Sequence, residues 1–371
     1  MAHYRYTFLS LRDEQVIEEI NLEGVYCQRI LNSPGQFNAT VPLDQTGKRN
    51  QDLVAATVPG KTWVVVERED VPVWWGINWS RTYQSQAKLM ELWSWGFEAF
   101  PQRQIMLSDF TRTAQNQLHT FADLWSDMQA SKTGRNMNVN VPTSFPPSVI
   151  KDVNILATDA KYYGDIMTAL ADSSDGFDWT VQCYKYNNLY RKDLVMGYPQ
   201  LGIGTNADYL TFSYPGSILN YYETESMANA GTHIYGYGAG EGSQQITARV
   251  EYNDLVDLQG WPRWDIEVSL KDIDDQFMLN ALTLQEGIKR KVPMNHYTVT
   301  VKGDLDPIMG SFGLGDSCRL SLKDPKHPDG YEIITRIIGF ELHPPSSGSV
   351  EQLQLILPGD DVGGQIPVAA Q

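Results

Sequence analysis

The groups in this 371-residue chain that could carry chemistry are six histidines, 45 acidic side chains and three cysteines. His3, His119, His233, His296, His327 and His343 are scattered, without the close spacing of zinc ligands. None stands with a Gly-x-Ser-x-Gly elbow or a cysteine placed as a nucleophile. Hydrolysis of a glycosidic bond needs two carboxylates at a set separation in space, which spacing in sequence leaves open. No pair is singled out, and Asp274-Asp275 and Asp360-Asp361 read as solvated surface. Cys27, Cys183 and Cys318 are odd in number, far apart and embedded in strand-like sequence. They read as small buried apolar residues, not as a disulfide framework or a metal site. On these grounds no catalytic, metal-binding or cofactor-binding residue is assigned.

Two glycine-rich stretches invite ligand readings. In "GYGAGEGS", from Gly236, the glycines fall on alternate positions, and no Lys-Ser or Lys-Thr follows. That pattern fits neither a dinucleotide nor a P-loop phosphate cradle, so a strand end and a turn are expected. "GDLDPIMGSFGLGDS", from Gly303, offers Asp304, Asp306 and Asp316 as oxygen ligands, but without the EF-hand spacing it reads as a turn loop between strands.

The elements around these residues are mostly strands. "GVYCQRILNSPGQFNATVPL", residues 24–43, alternates with period two on both sides of an Asn-Ser-Pro-Gly turn. "TWVVVERED" from Thr62, "VPVWWGINWSRTY" from Val71 and "KLMELWSWGFEAF" from Lys88 read as a meander. Its first turn falls at Glu69-Asp70, with a bulge expected at Gly76. Beyond Pro101 helices are expected from Ser108, and within "ATDAKYYGDIMTALADSSDG", with a polar loop over 136–147 between them. A third, "SLKDIDDQFMLNALTLQEGIKRKV", has Ile273, Phe277, Leu284 and Ile288 as its expected buried positions and is stopped by Pro293. From His296 the pattern returns to strands.

The chain suits two or three domains, and with 42% hydrophobic and 20% charged residues it is globular. Its formal charge of −16 repels phosphate backbones and anionic lipid, and no basic run exceeds Lys289-Arg290-Lys291. The opening "MAHYRYTFLSLRDEQ" lacks the apolar run of a signal peptide, and no apolar stretch nears the roughly 20 residues of a membrane helix. A soluble product made in the cytoplasm, without membrane insertion, is the expectation.

The aromatic load of 10 Trp, 19 Tyr and 12 Phe is more informative. Trp74, Trp75, Trp79, Trp93 and Trp95 lie on neighbouring strands, where alternate side chains face opposite sides of the sheet. One face is core, and the other must be covered. Because Trp and Tyr are enriched at association hot spots, the five are candidate residues of a subunit interface, with a sugar-stacking platform as the alternative.

The order of elements resembles the tail-tip hub proteins of tailed bacteriophages. These are tail-associated, baseplate-hub-like proteins, often labelled minor tail proteins in phages of actinobacteria. The resemblance is carried by the opening turn "N-S-P-G-x-F-x-x-x-V-P", the hairpin "WVVVEREDVPVWWGIN" and the segment "SYPGSILNYYETESMANAGTHIYGYGAGEG". The late "GLGDSCRLSL" and "GYEIITRIIGFEL" complete it, over roughly residues 15–358. It implies an α+β, mainly β fold with two barrel-like hub domains and helical or mixed insertion domains. The first barrel would span 1–103, a helical and mixed α/β insertion 104–207, and the first part of a second barrel 208–251. A helical insertion would follow over 252–293, then the remainder of the second barrel over 294–358 and a C-terminal tail over 359–371.

The same resemblance implies a homotrimer whose six barrels form a ring continuing the tail tube at the distal tip of the virion tail. Implied partners are the distal tail protein, other tail-tip or fibre proteins and the tape-measure protein. The hub would close the tube and open for genome ejection, with DNA passing through unbound, and an acidic lumen would repel it over a Debye length of about 8 Å. No enzymatic role or cofactor is implied. Some longer relatives carry a peptidoglycan hydrolase or fibre-like extension after the hub, whereas here "GDDVGGQIPVAAQ" leaves a cell-wall-cutting role in doubt. The alternatives are a carbohydrate-binding adhesin at the same tip and a glycoside hydrolase with an unrecognised carboxylate pair.

Overall fold

The computed structural model describes residues 2–173, 175–203, 210–271, 273–291, 294–346 and 350–358, with backbone alone at 294–296. Pro293, the His296 side chain, Asp360-Asp361 and the 359–371 tail lie outside the described residues. Strands hold 43% of the chain and helices 18%, so the architecture is mainly β, as the resemblance implied. The chain divides into two compact units, residues 1–220 with 300–356, and residues 221–299 with 357–371.

The first unit begins with seven strands: β1 (Tyr4–Ser10), β2 (Val16–Glu19), β3 (Glu23–Ile30), β4 (Gln36–Pro42), β5 (Thr62–Arg68), β6 (Val71–Gln84) and β7 (Leu89–Trp95). A short helix, α1 (Asn50–Ala56), separates β4 from β5. β5, β6 and β7 pair antiparallel in series, which is the expected meander. Glu69 and Asp70 both take positive φ, 48° and 65°, as a two-residue hairpin turn with the twist of its strands requires. The bulge expected at Gly76 lies elsewhere, because the β6–β7 register shifts between Asn78 and Ser80, around Trp79. Gly76 answers a different demand: a Cβ there would lie 2.7 Å from the Trp95 carbonyl carbon.

The insertion that follows holds β8 (Phe110–Asn116), α2 (Gln117–Ser131), β9 (Val139–Asn140), β10 (Ile150–Ile155), α3 (Tyr163–Ala171), β11 (Asp178–Tyr186) and β12 (Leu189–Gly197). The helix expected from Ser108 starts only at Gln117. Residues 110–116 pair with β10, and the Asn116 side chain then caps α2 by accepting from the Leu118 amide. On the sheet face towards this insertion, Trp63, Val65, Trp75 and Ile77 join Phe121, Trp125, Met167 and Trp179 in one core. Val64, Val66 and Trp74 point the other way and are equally buried, with Trp74 stacked on Phe37 at 5.0 Å between ring centroids. Burial on both faces explains why "TWVVVER" shows no polar alternation.

After β13 (Leu210–Tyr214) and β14 (Ile218–Ser226), the second unit holds β15 (His233–Tyr237), β16 (Thr247–Glu251), α4 (Asn253–Asp257), β17 (Asp265–Ser269) and α5 (Gln276–Arg290). β15 pairs antiparallel with β16 and parallel with β17, so the stretch expected to be helical over 252–293 contributes a strand to this sheet. Ile266 and Val268, alternating with acids, give that strand its period. α5 lies on the sheet through Leu279, Thr283 and Gly287, while Phe277, Leu284 and Ile288, expected to be buried, are 83%, 49% and 53% exposed. The small residues won the inner position because Thr283 packs directly over Gly236, where any Cβ would collide with it.

The last strands are β18 (Met294–Val301), β19 (Ser317–Leu322), β20 (Tyr331–Arg336), β21 (Gly339–His343) and β22 (Gln352–Ile356). β19 pairs parallel with β13 and antiparallel with β20. β21 pairs with β3, so both ends of the chain share one sheet, in the order β22-β21-β3-β4-β7-β6-β5-β1-β2. Laid flat, β22 and β5 would stand roughly 29 Å apart at about 4.8 Å per strand. Yet Arg68 Nε at the end of β5 lies 2.9 Å from Glu351 Oε2 at the start of β22, and the Tyr4 hydroxyl donates to the same oxygen at 2.7 Å. The sheet is rolled.

Candidate functional site: an aromatic sheet face

Strand β7 presents every second residue outward: Trp93 and Trp95 are 48% and 37% exposed, while Ser94 between them is buried and donates to Asn78 Oδ1 at 2.9 Å. Across the ladders Trp93 stands opposite Asn38 on β4 and Ser80 on β6, and Trp95 opposite Gln36 and Ile77. Directly opposed residues share a sheet face. Trp95 and Ile77 therefore continue the surface on which the insertion packs, and that surface runs on through the half-exposed Trp93 to Asn38 and, on β3, Tyr26, both partly buried.

That stretch is polar around its two indoles. The Tyr26 hydroxyl donates to Glu341 Oε1 at 3.1 Å, Gln28 Nε2 donates to the same oxygen at 2.9 Å, and Gln36 Nε2 reaches the Tyr26 hydroxyl at 3.4 Å. Burial pushes the Tyr26 phenol up to about 12, so it stays a neutral donor at physiological pH. His343 lies beside its ring at 5.1 Å between centroids. Two flat apolar plates fixed on a rigid sheet and rimmed by amide and hydroxyl groups can stack against an aromatic or sugar ring or seat a protein surface.

Of the five tryptophans singled out in sequence, the structure brings only Trp93 and Trp95 to this face. Trp74 and Trp75 are core, 1% and 4% exposed, and each indole N–H donates to a carbonyl, of Gln28 at 3.0 Å and of Val181 at 2.8 Å. Trp79 is half-buried against the insertion core, with the Arg103 guanidinium 6.0 Å from its ring centroid. The covering that the sequence demanded for the second face is supplied in part by the chain's own insertion.

Sequence reasoning missed the buried charges of the first unit. Glu67, with a fully buried side chain, takes Arg5 at 2.5 Å and Lys185 at 3.1 Å. Glu98 accepts from Thr180 Oγ1 at 2.9 Å and the Val181 amide at 2.8 Å, and burial raises its carboxyl above the ordinary range. Lys192 is held between Trp63 and Phe97 with Glu14 Oε1 at 2.8 Å, and burial lowers its ammonium. An acid inside an apolar strand, as in "WVVVER", was the available signal, since such a group must be paired. Arg29, Trp75, Gly96 and Glu98 line a cavity with room for about one water molecule, too small for a substrate.

Among the described residues no group of three or more His, Cys, Asp or Glu could hold a metal ion. Asp316 instead organises its loop, accepting from the Ile203 amide at 2.9 Å and the Gly313 amide at 2.7 Å, while Gly236 ends up inside β15. All three cysteines are free and buried, with thiols pushed up by that burial. Among the described residues no helix is long and apolar enough to cross a membrane.

No protein-family profile and no curated protein sequence matches the chain. Solved structures do. The 43 kDa tail protein of prophage MuSo2 from Shewanella oneidensis superposes with a TM-score of 0.59 at 10% identity, over 95% of this chain and 98% of that one. The tail protein from Neisseria meningitidis MC58 gives 0.57 at 12% identity, over 96% and 97%. A chain of the half-lidded Francisella PdpA-VgrG complex gives 0.59 at 7% identity, over all of this chain and 60% of that one. At such identities the likeness is one of fold, and this chain has the mainly β, baseplate-hub-like fold of phage tail proteins.

Proposed function

We propose that this chain is a structural protein of a phage virion, the homotrimeric hub at the distal tip of the tail. In this reading it docks on the distal tail protein, carries other tail-tip or fibre proteins, and meets the tape-measure protein. It closes the tail tube and opens for DNA to pass without specific binding. The observation that carries the reading is the rolled sheet in which N-terminal and C-terminal strands pair, β3 with β21, in a fold shared end to end with two tail proteins. The formal charge of −16 suits a wall past which DNA must slide. The role is non-enzymatic: the buried acids Glu67 and Glu98 are spent on cations and backbone donors.

Antibody labelling of intact virions, followed by imaging, tests this directly. Label confined to the distal end of the tail is expected, and label elsewhere on the particle, or none, would overturn it. A second reading, a carbohydrate-binding adhesin at the same tip, is favoured by the two exposed indoles beside Asn38, Gln36 and Ser80. Retention of the purified chain on host cell-wall glycans, lost in Trp93→Ala, would select it.

A further inference from the structure

Lys192 on β12 extends into an aromatic slot: its side chain is 0% exposed, with Nζ 4.6 Å from the Trp63 ring centroid and 4.3 Å from that of Phe97. The carboxylate of Glu14, in the turn between β1 and β2, faces it with Oε1 at 2.8 Å. That turn is firmly set. Glu14 holds φ at 58°, its amide donates to the Ser10 carbonyl at 3.1 Å, and the Ser10 amide donates to the Gln15 carbonyl at 2.9 Å. Nζ and Oε1 are both buried, and among the described residues neither makes a hydrogen bond, so the contact is close without lying along a donor direction. With Oε1 at 2.8 Å, the carboxyl carbon, one bond of about 1.2 Å further on, is at most about 4 Å from Nζ.

We propose that Lys192 and Glu14 condense into an isopeptide bond from Nζ to Cδ, a covalent tie between the insertion and the first turn of the sheet. The ammonium passes one proton to the carboxylate across the contact, leaving an amine and a carboxylic acid. The Nζ lone pair attacks Cδ, and the tetrahedral adduct collapses with cleavage of the Cδ–OH bond. The hydroxyl leaves with a proton from Nζ as water, and a neutral amide remains. Burial lowers the ammonium and so favours the first transfer. Condensation then replaces two desolvated charges by a group that is far less costly to bury. Amine and acid held in contact react at effective concentrations of roughly 10⁵ M or more when well oriented. The other buried acids of this unit have no such partner. Glu67 is shared between Arg5 and Lys185, Glu98 accepts from Thr180 and the Val181 amide, and Glu351 faces the Arg68 guanidinium.

Mass spectrometry of the purified full chain in denaturant tests the bond, because an ion pair dissociates there and an amide does not. The intact chain is expected to be lighter than its sequence by one water, beyond any removal of Met1. Proteolysis should release one branched peptide joining the Glu14 and Lys192 segments. Lys192→Met and Glu14→Leu should each restore the full sequence mass, with complete loss of the branched species. A parent chain at its full sequence mass would overturn the proposal and leave an ion pair only. So would a loss of water mapped elsewhere, as by succinimide formation at Asp175-Gly176 or Asp329-Gly330, or a lighter species that persists in Lys192→Met. The decisive reading is taken on the parent chain, so it stands whether or not a variant folds.

Discussion

Gly76 on β6 runs directly beneath the Trp95 backbone on β7, so close that a Cβ would lie 2.7 Å from the Trp95 carbonyl carbon and strike the Trp74 ring as well. No side chain fits there, although the backbone of Gly76 is ordinary strand. Gly76→Ala must displace either the ladder or the stacked Trp74–Phe37 pair. A loss of about 3 kcal/mol, the upper range for overpacking, is expected in urea unfolding. Gly134→Ala, at an open position with φ 89°, should cost only about 1 kcal/mol of backbone strain. Equal losses at the two positions would refute the packing account.

The contact of Arg68 with Glu351 joins strands that sheet order holds far apart, and both side chains are largely buried, 6% and 13% exposed. Arg68 also donates to the Gly303 carbonyl at 3.1 Å. Removing one partner leaves an uncompensated charge, so Glu351→Leu is expected to destabilise by about 3–5 kcal/mol. Arg68→Met with Glu351→Leu should recover a substantial part of that loss, because neither charge is then stranded. A double mutant as unstable as the sum of the singles would show that the pair is not coupled.

Local geometry was legible in the sequence and long-range pairing was not. The turn at Glu69-Asp70, the 24–43 hairpin and the meander follow from residue types within a few positions of each other. The pairing of Cys27 with Leu342 does not, because no local pattern encodes register between segments so distant. α5 shows a different limit. Helical spacing reveals an apolar stripe, but the side that faces the sheet was decided by Gly236 and Gly287, which let backbones approach more closely than Phe277 or Leu284 could. The Trp cluster divided for a related reason: alternation assigns faces, and only the insertion's own fold decides how far it covers one of them.

Trp93 and Trp95 should therefore separate function from stability. Trp74→Ala removes a core indole and is expected to cost about 3–5 kcal/mol. Trp93→Ala and Trp95→Ala remove half-exposed rings and should each cost within about 1 kcal/mol, near the ordinary size of surface effects. Incorporation of the variant chain into purified tails, or retention on glycan, should nevertheless fall sharply for the outer pair. Normal incorporation and normal glycan retention in the Trp93→Ala, Trp95→Ala double variant would remove this face from consideration as a binding surface.

Glu98 gives the pH dependence its direction. Burial raises its carboxyl in the folded state, and the backbone and hydroxyl donors at Val181 and Thr180 and the nearby Arg29 only partly offset that. The folded protein therefore binds this proton more tightly than the unfolded chain does. The stabilisation is fully present below the unfolded carboxyl value of about 4.3 and is lost as pH rises through the folded one. Glu98→Gln keeps an oxygen for the Val181 amide and removes the ionisation. The variant should gain on the parent steadily as pH rises from about 4 to the raised folded-state value, read as the difference in urea midpoints, since a tenfold difference in proton affinity is worth about 1.4 kcal/mol. Parallel profiles across that range would mean that Glu98 titrates alike in folded and unfolded chains, against its burial at the junction of β11 with the segment after β7.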